Sequence, residues 1–105
     1  MKLLYLSRSR YGGWVTFTSH LYHGLLGKPP TSHDRFQTSE DHEVIRITNR
    51  SEKTQRDMGN YVPYRNMSEE DVLEIEEPIL ITAVDKHHRE LAMKLLGQGA
   101  YIVIH

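Results

Sequence analysis

The stretch PILITAVDKHHRELAMKLLGQGAYIVI, residues 78–104, decides the fold. After Pro78, the residues from Ile79 to Val84 form an apolar run broken only by Thr82 and closed by Asp85. A run without strict alternation reads as a strand covered on both faces, because alternation arises where one face meets water. Asp85 offers a side-chain oxygen to cap a helix over Lys86–Leu96, with Leu91, Ala92 and Leu95 on its buried side and Gly97 and Gly99 closing it. Tyr101–Ile104 reads as a second buried strand. Strand, helix and apolar strand in that order make a parallel crossover unit, which is right-handed in nearly all folds.

The same alternation runs upstream. Lys2–Ser7 is a short apolar strand that enters Arg8-Ser9-Arg10-Tyr11-Gly12-Gly13, a loop whose glycines open backbone conformations closed to other residues. Trp14–Leu26 carries Trp14, Phe17, Leu21 and Leu25 at helical spacing, so it reads as a helix with that stripe inward, ended by Gly27. Residues 28–42 are polar and contain two prolines, as an exposed loop does. Glu43–Thr48 is a strand. Tyr61–Arg65 is a short one that Pro63, lacking an amide donor, confines to an edge or a bent segment. Ser68 caps a short helix with acids in its first turn and Val72, Leu73 and Ile75 on its apolar side. The fold expected is α/β, a three-layer Rossmann-like domain with a mostly parallel sheet of about 4–5 strands flanked by helices.

Composition narrows the function classes. With 38% hydrophobic and 26% charged residues over 105 positions, the chain supports one modest core. It has no cysteine, which removes disulfides, thiolate metal sites and thiol nucleophiles, and points to the cytoplasm. No apolar run approaches the roughly 20 residues of a membrane span. The net charge of -1 gives no overall basic excess for capturing nucleic acid.

In an open parallel sheet, ligands bind beyond the carboxyl ends of the strands, where the strand order reverses. The segment from Arg8 to Gly13 is the richest there. Amides at a helix start attract phosphate or carboxylate, and Arg8 and Arg10 add charge-assisted contacts. Ser9, Tyr11, Gly12, Gly13 and Asp85 complete the expected binding set. A tight turn that holds no ligand is an equal reading of the same glycines. His87 and His88 beside Asp85, and His105 at the last strand tip, read either as acid, base or anion ligand or as first-turn and terminal residues that face water; His87 and His105 are taken as the catalytic candidates. His20 and His23 lie one turn apart, but no acidic third ligand accompanies them, so no metal site is expected.

Lys2-Leu3-Leu4-Tyr5-Leu6-Ser7, the Gly12-Gly13 turn and His20-Leu21-Tyr22-His23-Gly24-Leu25 resemble the opening of glycosyltransferases built from two facing Rossmann-like domains. The strand to Asp85, the helix to Gly99 and Ile102-Val103-Ile104-His105 are similar to the later part of that N-terminal domain. The look is nearest to such proteins encoded by bacteriophages. The resemblance implies transfer of a sugar from a nucleotide-sugar donor to a hydroxyl acceptor, with Gly12-Gly13 near the donor phosphates and His105 near the acceptor, and it implies no cofactor. The Asp that often follows the histidine in that family is absent. The expectation is a single, incomplete domain over 1–105, completed by a C-terminal donor-binding partner or by self-association and inactive alone. The rival expectation is a small non-catalytic binding protein of phage type acting on a host partner.

Overall fold

The computed structural model describes residues 1–7, 13–27, 41–47 and 63–103. Its elements follow the expected order: β1 (Lys2–Leu6), α1 (Gly13–Leu26), β2 (Glu43–Ile47), β3 (Tyr64–Met67), α2 (Glu69–Leu73), β4 (Ile79–Val84), α3 (Arg89–Gly97) and β5 (Tyr101–Ile102). All strand pairings are parallel, and the sheet order is β3-β2-β1-β4-β5. This is a Rossmann-like α/β sheet.

The sheet divides two apolar clusters. Leu4, Leu6, Ile45, Ile47 and Ile81 face Val72 of α2 and Leu91, Ala92 and Leu95 of α3. Leu3, Tyr5, Val44, Tyr64 and Ala83 face Val15 and Tyr22 of α1. Adjacent residues of β1 therefore enter opposite cores, which is why its sequence shows no polar alternation.

Four expectations are corrected. The inward side of α1 is Val15, Thr18, Ser19, Tyr22 and His23, while Trp14 and Leu25 are exposed. The face is displaced by one residue, about 100° of helix rotation. Its cause lies in β4. Register with β1 slips so that Leu4 pairs with Ile81 but Tyr5 with Ala83, leaving Thr82 as a bulge. The Thr82 hydroxyl is 2.9 Å from that of Thr18, whose Oγ1 also donates to the Trp14 carbonyl at 2.8 Å. A buried hydroxyl without such partners costs about 1–3 kcal/mol, so small polar residues are favoured on the face opposite it.

The helix after Asp85 begins at Arg89 rather than Lys86, because the Asp85 carboxylate and carbonyl hold a turn over Lys86–His88. The strand expected over Tyr61–Arg65 is Tyr64–Met67; it is the edge strand beside β2, and residues 61–62 lie outside the described residues. The last strand is not buried. β5 lies at the other edge, with Tyr101 and Ile102 exposed, and Ile104 lies outside the described residues.

Candidate functional site

The sheet order fixes where a ligand site belongs. The connection from β1 leads toward β2, and that from β4 leads away toward β5, so the order reverses between β1 and β4. Crossover connections leave a crevice at the carboxyl ends of the two strands at such a point. Ser7, just past β1, and Asp85, just past β4, stand there, and the Asp85 amide donates to the carbonyl of Leu6, the residue before Ser7, at 2.8 Å. α1 packs on both β1 and β4, and a crossover helix runs back against its strands, so Gly13 opens it at this edge.

Asp85 and His88 form a close polar contact at the edge. Asp85 Oδ1 accepts from the His87 amide at 2.9 Å and lies 2.6 Å from His88 Nδ1. The side chains of His88 and Asp85 are 10% and 15% exposed, so the pair works largely out of water, where electrostatic contacts are strong. A carboxylate held at Nδ1 orients the imidazole and directs Nε2 away from it. The pair thus has the form of an oriented general base.

Arg46 brings permanent positive charge to the end of β1. It sits in β2 at only 6% exposure, its Nε donates to the Ser7 carbonyl at 3.4 Å, and its guanidinium carbon lies 5.5 Å from the centre of the Tyr64 ring. The Ser7 carbonyl therefore connects the end of β1 to a charged side chain on the neighbouring strand. Among the described residues, the chain of contacts runs His88–Asp85–Leu6, then Ser7–Arg46–Tyr64.

Of the residues expected from sequence, Gly13 and Asp85 stand at this edge, while Arg8, Ser9, Arg10, Tyr11, Gly12 and His105 lie outside the described residues. His87 contributes its backbone amide and exposes its side chain, and the imidazole that meets Asp85 is that of His88. Asp85 itself, being an anion, repels phosphate and acts on the imidazole instead. The signal for His88 is its i, i+3 spacing from Asp85 within one turn. The signal for Arg46 is a single arginine inside the apolar run Val44-Ile45-Arg46-Ile47.

His20 is exposed and His23 buried against the Tyr22 ring, with centroids 5.4 Å apart. Among the described residues, no three histidine or acidic side chains gather where a metal ion would be held, and no helix is long and apolar enough to cross a membrane. No family model matches the chain, and neither does any curated protein or solved structure.

Proposed function

We propose that the carboxyl edge between β1 and β4 serves sugar transfer from a nucleotide-sugar donor to a hydroxyl acceptor, the chain acting as the N-terminal Rossmann-like half of such a transferase. One observation carries the reading: the enclosed Asp85–His88 pair at the reversal of strand order. A base held by a carboxylate is what a hydroxyl acceptor requires, because an alcohol is a poor nucleophile until its proton has a destination.

The acceptor hydroxyl gives its proton to Nε2 of His88 as its oxygen bonds to the anomeric carbon of the sugar. The bond from that carbon to the diphosphate breaks, and its electron pair leaves with the nucleoside diphosphate. Charge on the leaving group grows during the step. The Arg46 guanidinium and the positive end of the α1 dipole offset it, which lowers the barrier because the charge is larger in the transition state than in the ground state.

The test is a titration of the full chain with UDP-glucose, GDP-mannose and dTDP-glucose at millimolar concentration, read by amide chemical shifts. Saturable shifts at Gly13, Asp85 and His88, weakened in Arg46→Met, are expected. Absence of any response to all three donors sinks the proposal.

A second reading, partner binding without catalysis, draws on the exposed Trp14 and Leu25 of α1. In that case a Trp14→Ala variant loses a captured partner while no donor shifts any amide.

A further inference from the structure

We propose that the cleft at the amino edge of the sheet receives a lysine or arginine side chain from an extended basic segment of a partner protein. The cleft lies at the opposite end of the strands from the Asp85–His88 pair. It encloses about 270 Å³ where the turn after α2 meets the turn after α3. That volume falls just below the roughly 300–1,000 Å³ typical of small-molecule sites, and it suits a single long side chain.

The lining has two parts. Ile75, Ile79, Leu95 and Ala100 provide apolar walls, and Glu76, Glu77 and Tyr101 stand at the rim. A lysine or arginine has the same two parts, an alkyl stem that packs on apolar surface and a charged head that stays near polar groups. Tyr101 lines the cleft and is 66% exposed, and an exposed aromatic ring attracts a cation. The C-terminal end of α3, at Gln98 and Gly99, adds the negative end of a helix dipole to the same cleft.

Charge complementarity selects a segment rather than one isolated cation. Between Asn66 and Lys86 the sequence has no lysine or arginine, while Glu69, Glu70, Asp71 and Glu74 continue the acidic surface from the rim along α2. These four side chains are exposed. A polypeptide carrying several basic residues spans that surface while one of them enters the cleft. An anionic ligand is repelled here, so the two edges of the sheet select opposite charges.

The experiment uses the full chain and an acetylated peptide of alternating leucine and lysine. Saturable amide shifts at Ile75, Glu77, Gly99 and Tyr101 are expected, and they weaken as salt is raised. The Glu76→Gln, Glu77→Gln double variant weakens binding by about tenfold, whereas Glu69→Gln with Glu70→Gln, the same change of charge away from the cleft, weakens it by less than about threefold. All four glutamates are exposed, so both variants keep the wild-type amide spectrum elsewhere. Equal losses in the two variants overturn the proposal in favour of a diffuse acidic surface. Equal shifts with spermine overturn it in favour of a small polyamine. Concentration-dependent shifts at the same amides without peptide, together with a dimer in sedimentation, overturn it in favour of a second copy of the chain.

Discussion

Glu43 shows how one side chain ties three strands together. Its Oε1 accepts from Lys2 Nζ of β1 at 2.7 Å and from Arg65 Nη2 of β3 at 2.7 Å, and its Oε2 accepts from Arg65 Nε at 3.3 Å. Burial opposes ionisation of this carboxyl, but the hydrogen bonds and charges of Arg65 and Lys2 together outweigh it and hold the group below its ordinary value of 4.5. A carboxylate whose folded value is depressed stabilises the fold above the unfolded value, and that contribution is lost as pH falls through the folded one. Glu43→Gln therefore lowers stability by about 0.5–1 kcal/mol at neutral pH, as partly exposed pairs do, and the gap to the parent narrows as pH falls below the ordinary value of 4.5 and closes once the folded carboxyl is protonated. Urea denaturation at a series of pH values checks this; a gap that stays constant into acid assigns the loss to something other than charge. The carboxylate itself was legible as the first residue of a strand. Its partners were not, since they lie 41 and 22 residues away and meet it only through strand pairing.

The C-terminal ends of helices were more legible than their faces. The end of α3 is a Schellman motif: the Ala100 amide donates to the Leu95 carbonyl at 3.0 Å, the Gly99 amide to that of Leu96 at 3.1 Å, and Gly99 takes φ +97°. Gly97 belongs to the last turn of the helix and has no such φ. No atom stands within 4 Å of where a Cβ would lie on either glycine, so substitution reads backbone conformation alone. Gly99→Ala costs about 1 kcal/mol, whereas Gly97→Ala adds about 0.5–1 kcal/mol of stability. Thermal melts of the two variants give shifts of opposite sign; shifts of the same sign contradict this account of the cap. The glycines announce the stop because their chemistry is local. The inward face of α1 is set by the Thr18–Thr82 contact across 64 residues, which no count of apolar spacing contains. The choice of His88 over His87 was not legible for a related reason: the turn held by Asp85 moved the helix start and, with it, the side of the chain on which each histidine falls.

At the scale of the molecule, the sequence carried the succession of strands and helices, and chirality rules carried the parallel sheet. It did not carry the bulge at Thr82 or the exposure of β5, because both depend on which strands become neighbours. That neighbourhood also sets how stability is distributed. β1 pairs with β2 on one side and β4 on the other, and Leu3, Leu4, Tyr5 and Leu6 are fully buried in the two cores. β3 and β5 each have one neighbour, and β5 exposes both of its residues. An amide in β1 exchanges with solvent only when both cores open, whereas an amide at the edge exchanges when one ladder frays. Native-state hydrogen exchange is therefore expected to rank the amides of Leu4 and Tyr5 slowest, with opening free energies equal to global stability. The Val103 amide, which donates to the Ile81 carbonyl at 3.0 Å just past β5, exchanges with a smaller value that is insensitive to low urea, as local fraying exposes little surface. Leu4→Ala, which removes buried methyl groups at the shared strand, lowers the β1 values by about 2–5 kcal/mol. Val103 keeps its smaller value in that variant for as long as global stability exceeds it. If Val103 instead tracks Leu4 in both the parent and the variant, β5 opens only with the whole sheet, and the edge position assigned to it is wrong.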